Sequence, residues 1–289
     1  MPEYPEVTVV TNTLNSLVSN CKITNVNIIK EKLIKNATAE EFKNFLINKI
    51  ILNVKNYGKF IVFTFNDNSR MISHLRMSGK YFVWNPSNDN YFLSQTHNYM
   101  IFDLLNIYNK PLKLIYNDSR MFGSFEIIPA NDNRDIYQIK NLGKLPLDVD
   151  VQALFNKIQK KNISIKSILL DQSLVLGIGN IYADEALHKA KINPMIKCNK
   201  ITLHQLEELL QYAGEIMNNS IKMGGSSVHT YTSVNSQKGT YQNELKVYGK
   251  CGKLCSTCKK SKIKKVKLDY KQNGRGTSFC PNCQPEENE

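Results

Sequence analysis

Cys255-Ser256-Thr257-Cys258, followed by a basic run and closed by Cys280-Pro281-Asn282-Cys283, is the stretch from which the organisation of this chain is read. Two C-x-x-C pairs about twenty residues apart supply four thiolates at the span and number of a closed tetrahedral zinc site. Between them lie Lys259, Lys260, Lys262, Lys264, Lys265, Lys267, Lys271 and Arg275, and Asn273-Gly274 offers a tight turn between two short strands. The stretch therefore predicts a cationic, ribbon-like finger stapled by one metal ion. A pair of disulfides is the alternative. Nothing at the N-terminus has the pattern of a secretory signal, however, and C-x-x-C pairs in a cytosolic chain more often hold metal. Four cysteines leave no open coordination position, so a structural Zn2+ is expected rather than a catalytic one.

Working outward, 289 residues are enough for two domains with separate cores, and an apolar content of 42% points to a globular chain. A net charge of +13 favours a polyanionic partner such as nucleic acid over an acidic small molecule; a merely soluble basic protein is the bland alternative. No apolar run is long enough for a membrane span. Cys21, Cys198 and Cys251 have no partner spacing and read as ordinary free thiols.

The chain opens Met1-Pro2-Glu3-Tyr4-Pro5-Glu6-Val7. Val7, Val10, Leu14, Leu17 and Val18 recur at helical spacing, and Pro5 and Glu6 suit a first turn. A helix is therefore expected almost at the terminus, with Pro2 and Glu3 as its lead-in. Chemistry allows more. If Met1 is trimmed, Pro2 carries a secondary amine able to form a cationic imine with an aldehyde-level carbon, with Glu3 beside it as acid or base.

From Ile50 to about Pro129 the period changes. Residues 51–55, 60–65, 71–75, 81–84, 99–104, 112–116 and 125–128 are short, β-branched or aromatic, and separated by turn clusters. They predict an antiparallel sandwich or barrel. Lys59 at a strand start, the basic residues around Met77 in His74-Leu75-Arg76-Met77-Ser78-Gly79, and Arg120 and Phe122 in a turn break the pattern. Each alone reads as a loop cation or core residue. Together with the net charge they suggest phosphate contacts and wedges for a base stack.

Residues 131–150 are polar and aperiodic and read as an interdomain linker. Helices are expected at 151–158, 164–170, 180–190 and 203–221. Leu176-Gly177-Ile178-Gly179-Asn180 leads into one of them, where backbone N–H groups and Asn180 can meet an anion. A plain turn between packed helices is the competing reading, and no βαβ unit supports a dinucleotide fingerprint.

With these pieces placed, the chain closely resembles the formamidopyrimidine-DNA glycosylases, bacterial bifunctional enzymes that excise oxidised purines. The resemblance runs nearly end to end. It rests on Pro2 to Val7, Gly58-Lys59-Phe60, His74 to Gly79, Arg120-Met121-Phe122-Gly123, Gly177 to Tyr182, Val247-Tyr248-Gly249, and Gly274-Arg275-Gly276-Thr277 leading into Cys280. It implies an α+β fold: an N-terminal antiparallel β-sandwich with a leading helix over 1–135, a linker over 136–150, a helical helix-two-turn-helix domain over 151–245 and a zinc finger over 246–289. Damaged double-stranded DNA would lie between the two halves of a monomer working on the bacterial nucleoid in the cytoplasm.

Position by position, the resemblance implies Pro2 as the nucleophile at C1′ of a flipped-out nucleoside and Glu3 as the proton donor that opens the sugar. Lys59 would hold a phosphate and assist elimination, and Arg275 would bind phosphate and take part in the second elimination. His74, His97 and Asn180 correspond to DNA contacts, as does Arg120. Met77, Arg120 and Phe122 match the residues that fill the gap left by the flipped base. The zinc ligands are Cys255, Cys258, Cys280 and Cys283. Three positions depart from the family pattern. Val234 to Gln242 is about two residues shorter than the family loop that closes over 8-oxoguanine, so the resemblance fixes the chemistry more closely than the lesion preference. His229 stands where relatives carry Lys or Arg and is expected to weaken one backbone contact, while Leu254 replaces a proline with little effect. The rivals are an endonuclease VIII-type enzyme for oxidised pyrimidines, which the Met77, Arg120 and Phe122 set opposes, and a non-catalytic zinc-finger DNA-binding protein in which Pro2 and Glu3 are incidental.

Overall fold

The computed structural model describes residues 1–86, 92–228 and 231–286. His229 lies outside them. The chain divides into two compact units, one of residues 1–135 with 223–240 and one of residues 136–222 with 241–289.

The first unit begins with α1 (Tyr4–Val18), which buries Val7, Val10, Leu14 and Val18 at three- and four-residue steps. Leu17, expected on the same face, is 40% exposed instead, because it sits one position off the stripe that Leu14 and Val18 define. β1 (Lys22–Ile28) and α2 (Ala39–Leu46) follow. The segments expected from Ile51 onward then appear as β2 (Ile51–Tyr57), β3 (Phe60–Phe65), β4 (Arg70–His74), β5 (Lys80–Trp84), β6 (Asn98–Leu105), β7 (Pro111–Asn117) and β8 (Ser124–Ile128). They form two four-stranded sheets, ordered β1-β6-β7-β5 and β2-β3-β4-β8, and all the strand pairs are antiparallel. In β6 burial alternates at every residue, which gives the sheet one face for the core. Phe63, Tyr81, Tyr116, Phe102, Phe125 and Phe42 meet there through successive ring contacts, most of them edge-on.

The second unit contains α3 (Ile136–Lys140), α4 (Val151–Ile158), α5 (Ile165–Leu170), α6 (Asn180–Lys189) and α7 (Leu203–Lys222). Residues 136–150, expected as a linker, carry α3 and a 3-10 turn over Pro146–Asp148, and bury Ile136 and Pro146. Five- and three-residue elements are too short to show a period, which is why the sequence reads as aperiodic there. The finger is a two-stranded antiparallel ribbon of β9 (Lys264–Lys267) and β10 (Gly276–Phe279). Asn273-Gly274 does not make the tight two-residue turn expected between these strands. Residues 268–275 form a wider loop, closed by Leu268 N–H donating to the Arg275 carbonyl at 2.8 Å and Gly274 N–H donating to the Lys271 carbonyl at 2.8 Å. The buried Leu268 turns the chain inward before Asn273 is reached, and a Cβ at Gly274 would collide with the Leu268 carbonyl. No helix among the described residues is long and apolar enough to cross a membrane.

Phe125 is fully buried and meets three other rings edge-on or tilted. Phe125→Ala should lower the unfolding free energy of the first unit by about 3–5 kcal/mol. A urea titration followed by near-ultraviolet dichroism reads this as an earlier midpoint; an unmoved midpoint would remove Phe125 from the centre of the sandwich core.

Candidate active site and metal centre

Glu3 is the N-cap of α1, and Pro5 and Glu6 fill its second and third positions. Unlike a frayed terminus, Pro2 and Glu3 are both buried. The cause is Glu6, 1% exposed, whose carboxylate accepts from the Glu3 backbone N–H at 2.9 Å and the Ser226 N–H at 2.8 Å. One carboxylate thus answers an orphan donor of the helix start and ties it to the 223–240 segment. The Met1 amine that precedes Pro2 is lowered from its ordinary pKa chiefly by burial; Lys59 and Arg120 act in the same direction, and Glu3 and Glu6 oppose.

Lys59 lies in the turn between β2 and β3, where Tyr57 pairs with Phe60 and Gly58 takes φ +57° as the first turn residue. Asn56 Nδ2 donates to Thr8 Oγ1 at 2.9 Å and to the Gly58 carbonyl at 3.2 Å, so the turn is fastened to α1. Lys59 is only 8% exposed. On the adjacent strand His74 faces Phe60 edge-on at 4.9 Å, and its Nδ1 accepts the Arg76 N–H at 2.9 Å. In the neutral ring the proton is then on Nε2.

Two loops in this unit carry Met77, Arg120 and Phe122, the residues expected from the sequence to act as wedges. Met77 is 38% and Phe122 52% exposed, and the Arg120 guanidinium lies 4.7 Å from the Phe122 ring centroid. Arg76 and Met121 take positive φ of 51° and 54°, so both loops turn sharply beside those residues. His97 is exposed, with φ 71° and Nδ1 2.9 Å from the Tyr99 hydroxyl.

Asn180 and Arg275 belong to the second unit. Gln172 braces the glycine loop by accepting from Gly177 N–H at 3.0 Å and donating to the Ile178 carbonyl at 2.8 Å, and Gly179 caps α6. Asn180 Nδ2 donates to the Gly276 carbonyl at 2.7 Å, which fixes the residue next to the exposed Arg275. The structure therefore gathers Pro2, Glu3, Lys59, His74, Met77, Arg120 and Phe122 in one unit and Asn180 and Arg275 in the other.

Cys255, Cys258, Cys280 and Cys283 bring their Sγ atoms within 4.8 Å of one another, with Cys255 to Cys283 at 3.8 Å and Cys258 to Cys280 at 3.6 Å. Zn–S bonds of about 2.3 Å in a tetrahedron require sulfur separations of about 3.8 Å. The cluster can therefore hold a metal ion of that size. The Cys258 thiol is pulled down to about 6, first by the Lys260 backbone amide, whereas burial pushes Cys280 and Cys283 up. A bound cation would oppose the latter effect by favouring the thiolates.

Three carboxylates make contacts here that the sequence does not disclose, although Glu6 is expected in the first turn of α1. Glu6 is one; Glu3-x-x-Glu6 at a helix start is a weak form of the capping-box spacing and was its only signal. On α6, Asp184 accepts from Ser278 N–H at 2.8 Å and Lys166 Nζ at 2.5 Å, and Glu185 accepts from the N–H groups of residues 246–248 at 2.8–2.9 Å. An acidic pair on a helix reads as solvated surface, and nothing local marks it as buried.

A family profile described as the formamidopyrimidine-DNA glycosylase N-terminal domain matches residues 1–125, and one described as the formamidopyrimidine-DNA glycosylase H2TH domain matches residues 142–232. Formamidopyrimidine-DNA glycosylases of Mycoplasmopsis pulmonis and Mycoplasma mobile are 40% and 39% identical over 284 residues, covering 98% of this chain and 98% and 99% of theirs. A Lactococcus lactis FPG mutant solved with DNA containing Fapy-dG superposes with a TM-score of 0.87 at 36% identity, covering 99% of this chain and 100% of that one. MutM in complex with DNA containing carbocyclic 8-oxo-G gives 0.86 at 35% identity, with the same coverage. The fold and these matches thus place the chain among the glycosylases of DNA repair. The chain belongs to the formamidopyrimidine-DNA glycosylase family.

Glu6→Gln turns one acceptor oxygen into an amide NH2 that faces a backbone N–H in either orientation. Leaving one buried donor unanswered should cost about 1–3 kcal/mol of stability. Amide exchange at Glu3 or Ser226 should quicken in step, and full retention of both protections would show that the carboxylate does not hold the terminus.

Proposed function

We propose that this protein is a bifunctional DNA glycosylase and abasic-site lyase of base excision repair that excises oxidised purines such as 8-oxoguanine and formamidopyrimidines from double-stranded DNA. The observation that carries the reading is that Pro2 and Glu3 are enclosed, with Lys59 buried in a turn that Asn56 fastens to the same helix. Residues beside a chain start ordinarily fray, and ionisable groups enclosed together with them mark a candidate functional site.

After removal of Met1, the Pro2 nitrogen lone pair attacks C1′ while the glycosidic bond breaks, and the base leaves carrying the proton that the alkylated nitrogen sheds. Glu3 delivers a proton to O4′ as the C1′–O4′ bond opens, and the nitrogen becomes an iminium. Burial disfavours the charged form of an amine, so the enclosure of Pro2 favours the neutral nitrogen that carries the lone pair. The iminium withdraws electrons from C2′; loss of a C2′ proton expels the 3′ phosphate, and a second elimination expels the 5′ phosphate. Lys59 holds a flanking phosphate and assists the first elimination, and Arg275 holds phosphate for the second. His74, through Nε2–H, His97, Arg120 and Asn180, through the second hydrogen of its amide, contact DNA. Met77, Arg120 and Phe122 enter the stack where the lesion leaves it.

The metal of the finger is one structural Zn2+ on Cys255, Cys258, Cys280 and Cys283, and its contribution is a fourfold cross-link. Cys280→Ala should release the metal and unravel the finger, since the binding energy of such a site is largely its folding energy. Metal analysis that finds no zinc in the unaltered protein, or normal DNA binding by the variant, would overturn this assignment.

Lys59 is the competing nucleophile, and an amine with an ordinary pKa near 10.4 would need a larger shift by burial. The two differ in what they ask of the terminus. A protein carrying an uncleavable N-terminal extension should fold and bind zinc and DNA, yet give no borohydride-trapped adduct with damaged duplex and no base release. An adduct formed at normal yield by the extended protein would exclude Pro2.

A further inference from the structure

Met77 and the Arg120–Phe122 pair lie on loops about forty residues apart in sequence, so something must set them against each other. The group between them is the fully buried carboxylate of Asp118. Its Oδ1 accepts from Ser78 Oγ at 2.5 Å and from the Arg120 backbone N–H at 3.2 Å. Its Oδ2 accepts from Gly123 N–H at 2.8 Å and, more distantly, from the Tyr116 hydroxyl at 3.4 Å. Ser78, 5% exposed, also accepts the Arg120 N–H at 3.2 Å. The Ser78 and Tyr116 hydroxyls and the two backbone amides are donors without charge, so this is a junction at which one acceptor-only group gathers the residue after Met77, Arg120 itself and the residue after Phe122. The two loops also leave no slack, because a Cβ at Gly79 or at Gly123 would run into the Tyr116 hydroxyl.

We propose that Asp118, with Ser78 as its link to the second loop, is the positioning residue of the wedge: it holds Met77, Arg120 and Phe122 at the mutual spacing at which they enter the base stack together. The inference rests on the wedge role proposed above for those three residues. An aspartate suits the position and an asparagine does not. Whichever way an amide is turned, its NH2 faces a backbone N–H, either of Arg120, on the side shared with Ser78, or of Gly123, so the loop that carries Arg120 and Phe122 loses one of the two bonds that shape it.

The test compares Ser78→Ala, Asp118→Asn and, as reference, Met77→Ala on two duplexes, one carrying 8-oxoguanine and one a preformed abasic site. A third duplex carries 2-aminopurine beside a tetrahydrofuran abasic analogue, and its fluorescence reports opening of the neighbouring stack. Misplaced wedges should lower excision of 8-oxoguanine by about 10- to 100-fold in Asp118→Asn and less in Ser78→Ala, with a much smaller fall at the preformed site. The 2-aminopurine signal should fall in both variants as it does in Met77→Ala. If Asp118→Asn is too unstable to assay, Ser78→Ala, which removes one hydroxyl and leaves the carboxylate in place, decides the matter alone. Equal losses on the two substrates, or an unchanged 2-aminopurine signal in Ser78→Ala, would leave Asp118 a structural residue only and overturn the inference. Failure of Met77→Ala to separate the substrates would instead overturn the wedge reading itself, and the inference with it.

Discussion

The constraint on which the first unit depends is that a chain terminus, the part of a protein most inclined to fray, has to be held inside it. Several polar contacts do this together. Glu6 fastens the start of α1 to the Ser226 amide, Asn56 fastens Thr8 to the turn that carries Lys59, and Asn15 Oδ1 accepts the Val54 amide at 2.8 Å further along the helix. Packing of Val7, Val10, Leu14 and Val18 fixes the helix axis, and the polar contacts fix its rotation and its end. Hydrophobic burial alone is non-directional and would tolerate a terminus that wanders; buried hydrogen bonds do not.

The second unit meets a different difficulty. A finger of two four-residue strands has little apolar surface, its core being Val247, Ile263 and the cysteines. Its orientation is set instead by charge buried in α5 and α6. Lys166 and Asp184 are both fully buried; Lys166 Nζ also donates to Thr277 Oγ1 at 2.9 Å, and Asp184 takes the Ser278 amide. Burial pushes the Asp184 carboxyl up, and Lys166 and the Ser278 amide pull it back. Such a pair adds little net stability over an apolar replacement, but its bonds to Thr277 and Ser278 tie α5 and α6 to β10, the strand that Arg275 precedes. Glu185, raised by burial and opposed by three backbone amides, does the same for residues 246–248.

Much of this was legible in the sequence, and the exceptions have a common cause. The strands from β2 to β8, the helices from α4 to α7, and the four cysteines carry signals of period or spacing that survive without their partners. β1 was missed because a register shift between Ile23 and Asn25 breaks its alternation, leaving Ile23 and Val26 buried three residues apart. α2 was missed because eight residues with two buried side chains, Phe42 and Leu46, hardly make a period; its Thr38 and Glu41 capping box was the signal to use.

The order of residues already carries the kinds of groups present and their local structure: a proline next to the terminus with a carboxylate beside it, a sandwich followed by helices, four thiolates at metal-binding spacing and a strongly basic chain. Those follow from covalent order and short-range sterics, which need no distant partner. What Glu6, Asp118, Asp184 and Glu185 do is set by the folded molecule. A carboxylate is the same letter on a solvated face and in a core. Its task is defined by the donors that reach it, and those come from residues as distant in sequence as Ser226 from Glu6 and Ser278 from Asp184.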